Sequence, residues 1–132
     1  MKVLVTGATG YIGSHVCKNL KEHGHNVTGW DINIHGEYND VLSFCDHFAH
    51  TDVTGTIAGE YDAVVHLAGR SVVPQSLIEP TEYYRVNVMG TANVVSSIKT
   101  NNVIFASTSS AWEMASPYAR SKVAAEIGRA HV

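Results

Sequence analysis

Short apolar runs alternate along the chain with stretches whose apolar residues recur at helical spacing. That alternation predicts an α/β fold built on a parallel sheet. Lys2 to Thr6 is the first predicted strand, nearly all apolar, as a strand buried on both faces should be. A helix follows from Tyr11 to His23, with Ile12, Val16 and Leu20 at i, i+4 and i+8 on one face. Gly24 stops it. Asn26 to Asp31 forms the second strand. Residues 32–50 are weakly patterned, with a short helix over Asp40 to His47 and a third strand over Phe48 to Asp52. Thr54 to Tyr61 holds two glycines and is too short for a full crossover helix. Ala63 to Leu67 is the fourth strand. A loop with Pro74 and Pro80 leads into a helix over Thr81 to Lys99, then a fifth strand over Val103 to Ser107. The last helix starts at Ser116-Pro117, with Ser as N-cap and Pro at the first helical position. No internal repeat, low-complexity run or linker interrupts this order.

Composition narrows the class. The chain has 132 residues, 45% apolar and 16% charged, with a net charge of −3. That is one domain at most, and its apolar content argues against disorder. Nine scattered Lys and Arg argue against nucleic acid as a partner. Any phosphate site would have to be built from backbone amides. Val3-Leu4-Val5 is too short for a signal-peptide core or a membrane span, so a cytoplasmic location is expected. Cys17 and Cys45 are read as two reduced thiols. The eight histidines are scattered and give no metal-ligand spacing, so no metal site is expected.

Gly7-Ala8-Thr9-Gly10-Tyr11-Ile12-Gly13 sits between a buried strand and an amphipathic helix, the context a dinucleotide-binding loop requires. Gly7 lets the chain turn off the strand. Gly10 leaves room for a pyrophosphate to approach the backbone, and Gly13 lets the helix pack close to the strand. The helix N-terminus supplies free N–H groups and a positive dipole end. Asp31 ends the second strand, 24 residues after Gly7. Its carboxylate suits the two hydroxyls of an adenosine ribose and would repel a 2′-phosphate. No Arg lies near it in sequence, so NAD is favoured over NADP.

The motifs now form a recognisable series. Lys2 to His15, Gly24-His25-Asn26-Val27, His66-Leu67-Ala68-Gly69, Tyr83 to Thr91, Phe105 to Ala111 and Ser116 to Lys122 occur in the order found in the extended short-chain dehydrogenase/reductases. The resemblance spans about residues 1–126. It is to their NAD-dependent epimerase/dehydratase members, most of all the UDP-glucose 4-epimerases. It implies a Rossmann-type doubly wound sheet of order 3-2-1-4-5. It places Asp52 and Val53 beside the adenine, with Leu67, Ala68 and Gly69 along the middle of the cofactor. Tyr11, Ile12, Asn87 and Ser107 join Gly7, Gly10, Gly13 and Asp31 in the implied cofactor set, together with Tyr118 and Lys122.

The implied catalytic residues are Thr108, Tyr118 and Lys122. Tyr118 and Lys122 are four apart and share one helix face. A tyrosine hydroxyl, ordinarily titrating near ~10, needs a neighbouring ammonium to act as a base at neutral pH. The resemblance implies that Tyr118 takes a proton from a sugar hydroxyl as hydride passes to NAD. Thr108 would hydrogen-bond the reacting oxygen, and the keto-sugar would turn and receive the hydride on its other face. Counting back from Trp112 selects Thr108 rather than Ser109. The implied partner is a nucleotide sugar, most readily a UDP-sugar, and a homodimer is compatible with it.

Three features depart from the pattern. Ser71 stands where the epimerases often have a lysine. Only nine residues separate Thr108 from Tyr118, fewer than in the relatives, which leaves the choice of sugar open. Glu126-Ile127-Gly128-Arg129-Ala130-His131-Val132 matches the in-frame translation of a common sequencing adapter, and Gly128 should break the last helix. Residues 1–126 are therefore expected to be an incomplete NAD-binding domain, cut before the substrate domain, and 127–132 a non-native tail. Such a cut would expose the edge of the fifth strand to self-association. Two other readings stay open. One is a nucleotide-sugar 4,6-dehydratase, against which Ser109-Ser110 replaces the usual Asp-Glu. The other is a non-catalytic NAD-binding module.

Overall fold

The computed structural model describes residues 1–32 and 41–130. Five parallel strands form one sheet: β1 (Lys2–Thr6), β2 (Asn26–Asp31), β3 (His47–His50), β5 (Ala63–His66) and β7 (Val103–Phe105). Their order is β3-β2-β1-β5-β7. Two-residue strands β4 (Gly59–Glu60) and β6 (Ile98–Lys99) pair separately. With that small ladder set aside, the topology is the expected 3-2-1-4-5.

β1 lies at the centre because both its faces are apolar. Val3 and Val5 point into one layer with Ala8, Cys17, Val27 and Val41. Leu4 points into the other, with Trp30, Val53, Ile57, Val64 and Val94. The period-two alternation of a strand splits the run between the two layers. Each fully buried Val or Leu contributes about 1.5–3 kcal/mol. Cys17 and Cys45 are free thiols, as expected. A hydrogen bond with Cys45 and burial hold the Cys17 thiol well above its ordinary range.

Helix α1 (Tyr11–Glu22) packs on β1 with Val16 and Leu20 of the expected face against the core, but Ile12 does not join them. Gly13, Ser14 and Cys17 are buried, while Ile12 is 59% exposed. The reason is steric. A Cβ on Gly13 would lie 2.0 Å from the Gly7 carbonyl oxygen, so the helix turns its glycine, not Ile12, to the strand. Gly7 itself has φ +70°, where an added Cβ would meet Ala68 N at 2.8 Å.

Other boundaries moved by a few residues. The short helix is α2 (Val41–Phe44), and Asp40 lies outside the described residues. β3 begins one residue earlier than expected and ends two earlier. No crossover helix joins it to β5, in keeping with the glycines there. The expected loop around Pro74 instead holds helix α3 (Val73–Ile78), with Pro in the first turn, where its missing N–H costs nothing. The long central helix is three pieces: α4 (Pro80–Tyr84), a π-helical turn (Arg85–Met89) and α5 (Gly90–Ser97). β7 stops at Phe105, short of Ser107. Helix α6 (Pro117–Ala130) starts where the Ser116 hydroxyl accepts from Ala119 N–H at 3.1 Å. It runs on through Gly128, where a break was expected; a single helical glycine costs only about 1 kcal/mol.

Gly13→Ala is expected to lower stability by about 2–3 kcal/mol, since the clash is with backbone that must move. Urea denaturation checks this, and an unchanged midpoint would refute the close approach.

Candidate cofactor groove

The groove opens at the C-terminal ends of β1, β2 and β5, where open parallel sheets carry their ligand sites. Its volume is about 310 Å³, and Gly7, Gly10, Asp31, Asp52, Val53, Leu67, Ala68 and Gly69 line it. Gly10 is the N-cap of α1 and offers no side chain to the first-turn amides. Such amides lack intrahelical partners and suit an anion.

Asp31 stands at the rim, held by backbone donors. Its Oδ2 accepts from Thr9 N–H at 3.0 Å and its Oδ1 from Ile32 N–H at 2.7 Å. Asp52 is fixed by Thr54, whose N–H and hydroxyl both donate to Oδ1, at 2.9 and 2.6 Å. These bonds hold its carboxyl below the usual carboxylate range, with the nearby Arg85 charge adding to them.

Sequence reasoning missed two cations here. Arg70 and Arg85 line the same groove as Asp31, although neither is near it in sequence. Arg85 donates to both Glu82 oxygens and to the Thr54 hydroxyl. Its guanidinium is thus already engaged by a carboxylate. Arg85 lies in the Tyr83 to Thr91 motif and Arg70 directly follows His66-Leu67-Ala68-Gly69, but only the fold shows that they share the groove with Asp31.

The remaining expected site residues lie elsewhere. Gly13 is buried against Gly7. Tyr11 and Ile12 line a different depression, with Val16, Val65 and Ile104. Ser107 and Thr108 line a third, beside Ala111, Trp112 and Glu126. Tyr118 packs edge-on against Tyr83, ring centroids 6.4 Å apart. The Lys122 ammonium lies 4.5 Å from the centre of the Phe105 ring. Burial pushes Lys122 below the ordinary lysine range, and Glu126 opposes that shift. Ser107 in turn hydrogen-bonds Glu126. Asn87 lies in the π-helical turn, buried behind the groove wall, with Oδ1 accepting from Arg70 N–H at 2.8 Å. Neither Tyr118 nor Lys122 lines the groove or the Thr108 depression.

Residues 3–128 match the NAD dependent epimerase/dehydratase family. The chain belongs to that family. Its cofactor is NAD, in line with the expectation from the glycine loop and Asp31. A UDP-glucose 4-epimerase of Klebsiella pneumoniae is 36% identical over 129 residues, covering 85% of this chain and 92% of that protein. The NAD-dependent NDP-hexosamine 5,6-dehydratase TunA superposes with a TM-score of 0.85 at 27% identity, over 98% of this chain and 49% of its own. UDP-glucose 4-epimerase from Brucella ovis, solved with NAD, gives 0.82 at 26% identity, over 98% and 46%. The chain spans less than half of these two solved structures. Among the described residues no helix is long and apolar enough to cross a membrane, and no cluster of three or more metal-ligating side chains occurs.

Next to the groove, His66 is buried and its pKa falls to about 4, chiefly by desolvation and secondarily by the Lys122 charge. A depressed histidine pKa means the unfolded chain binds the proton more readily between pH 6.5 and 4. Stability is then full above about pH 6.5 and falls by up to about 3 kcal/mol as pH drops to 4. His66→Phe should abolish that slope in denaturation series from pH 7 to 4. A slope that survives the substitution would assign it to other groups.

Proposed function

We propose that this chain is the cofactor-binding part of an NAD-dependent nucleotide-sugar epimerase acting on a UDP-sugar. One observation carries the reading: eight residues expected to touch the cofactor converge on a single groove beside an uncapped helix N-terminus. The groove fits the dinucleotide by its chemistry. The pyrophosphate would lie against Gly7 and Gly10 and the α1 amides. The adenosine ribose would bond Asp31, and the adenine would lie beside Asp52 and Val53. Leu67, Ala68 and Gly69 would flank the middle of the molecule.

NAD, when bound, supplies a hydride acceptor that can return the hydride to the same sugar carbon. The chain's own residues handle the proton and the position. Tyr118 takes the proton from the sugar hydroxyl and gives it back. Thr108 hydrogen-bonds the reacting oxygen, and Lys122, one turn along α6 with its ammonium beside the Phe105 ring, supplies the positive charge on the tyrosine's side of the helix. The likeness to TunA favours a second reading, a nucleotide-sugar dehydratase. Ser109-Ser110 weighs against it, because an elimination needs an acid and a base where these hydroxyls stand.

Calorimetry on the chain should give NAD binding and much weaker NADP binding. Asp31→Ala should lower NAD affinity about tenfold and narrow the gap between the two cofactors, as two hydrogen bonds to the ribose disappear. Equal affinity of the unaltered chain for both cofactors would overturn the role of Asp31.

In any form of the protein that turns over UDP-glucose, Tyr118→Phe should cut turnover about 10²–10⁴-fold while sparing NAD affinity. Unchanged turnover would remove Tyr118 from the mechanism. A product that has lost water would replace the epimerase reading with the dehydratase one.

A further inference from the structure

The motif His66-Leu67-Ala68-Gly69 contributes three residues to the groove and leaves the histidine without a task. Its ring is 1% exposed, stacked on Phe105 with planes 25° apart, between Thr6 of β1 and Thr91 of α5. The partners assign every proton along this line. Thr6 Oγ1 accepts from both Leu67 N–H and Ala68 N–H at 3.1 Å. The Leu67 N–H is shared with the Thr6 carbonyl, also at 3.1 Å, while Ala68 N–H donates to the hydroxyl alone, which leaves the Thr6 proton to make the 2.6 Å bond to a neutral His66 Nδ1. On the other side, Thr91 donates to the Asn87 carbonyl at 2.6 Å. The 3.0 Å bond between Thr91 Oγ1 and His66 Nε2 must therefore be donated by the ring. His66 is the neutral Nε2–H tautomer.

The line continues past Thr91. The Asn87 amide donates to Arg70 O and to Ser121 Oγ, each at 3.0 Å. Ser121 donates to the Tyr118 carbonyl at 2.7 Å. Two runs of hydrogen bonds thus meet at Asn87: one comes from the groove-wall amides through His66 to its carbonyl, and the other leaves its side-chain amide for the backbone of α6.

We propose that His66 is a positioning residue, coupling the 67–69 wall of the groove to the helix that carries Tyr118 and Lys122. The proposal rests on the reading of that groove as the dinucleotide site. A neutral imidazole suits the task because one rigid ring presents an acceptor and a donor on opposite edges. A ligand pressing on Leu67 and Ala68 shifts the Thr6 hydroxyl, and the ring passes the shift to Thr91, Asn87 and Ser121. An imidazolium would aim two donors outward and face the Thr6 proton with one of its own.

Nitrogen-15 NMR of the whole chain at pH 7 should find the His66 proton on Nε2. A proton on Nδ1, or on both nitrogens, overturns the assignment and the proposal. Thr91→Val then cuts the line while leaving the ring in place. Hydrogen exchange should quicken about tenfold at 67–69 and at 118–125 together, while β2 amides stay unchanged. Val94→Ala loosens the same helix without touching the line and should quicken α6 no more than β2. Quickening confined to α5, or equal in β2, overturns the proposal.

NAD added to the unaltered chain should slow exchange in α6, and in Thr91→Val it should bind yet leave α6 unslowed. Equal slowing in both overturns the coupling. If calorimetry finds no NAD binding to the unaltered chain, the groove reading fails, and the ligand-free exchange still decides whether the tie exists.

Discussion

The contact on which the site depends is between two glycines. Gly13 of α1 lies against the carbonyl of Gly7, too close for any side chain between them. That approach sets α1 at a fixed depth on β1 and brings its amide end to the groove. It also decides which face of α1 is buried. A helix held off by one methyl group would rotate, and Ile12 would compete with Gly13 and Cys17 for the core. Stability and binding geometry thus draw on the same contact, which costs little because glycine needs no rearrangement to make it.

Most of the architecture was legible because parallel sheets buried on both faces leave dense apolar runs. β1 and β5 carry such runs, β2 with its sequence NVTGWD is bounded instead by Gly24 and Asp31, and the expected limits of all three agree with the structure to within a residue. The edges were harder to read. β3 is largely exposed, with the sequence His-Phe-Ala-His, and β7 has Ile104 60% exposed. With little burial to mark them, their ends were drawn too long. Helix α3 was missed because Pro74 reads as a loop residue, whereas at a first turn it is helix-compatible. On α1, Val16 and Leu20 pack on the core as the apolar period predicts, while Ile12 matches the period and stays exposed, because periodicity does not register a steric limit set by another element.

In the groove, the glycine loop and Asp31 were readable because their spacing along the chain reflects one strand–turn–helix–strand unit. Asp52 and Val53, from another crossover, entered only through resemblance. Arg70 and Arg85 could not be read at all. Their sharing of one groove with Asp31 depends on the ends of β5 and β2 and the central helix lying on the same side of the sheet end. No local pattern encodes that arrangement.

The polar residues of the core are a different kind of information. Thr6, His66, Asn87, Thr91 and Ser121 are all buried, where each unpaired group would cost about 1–3 kcal/mol. Among the described residues no buried side-chain nitrogen or oxygen is left without a partner. An apolar core of the same shape would be simpler to satisfy, but it would not be directional. The main-chain N–H and C=O groups at their ends fix the direction of these bonds, from the Ala68 N–H to the Asn87 carbonyl and from the Asn87 amide to the Tyr118 carbonyl. Such a line permits fewer relative placements of β1, β5, the central helix and α6 than apolar packing alone would. The π-helical turn belongs to the same constraint. It is the part of the central helix that holds Asn87, and Asn87 bonds Arg70 on one side and Ser121 on the other. The irregular backbone and the buried polar line therefore meet at one residue, between the groove wall and the helix of Tyr118 and Lys122.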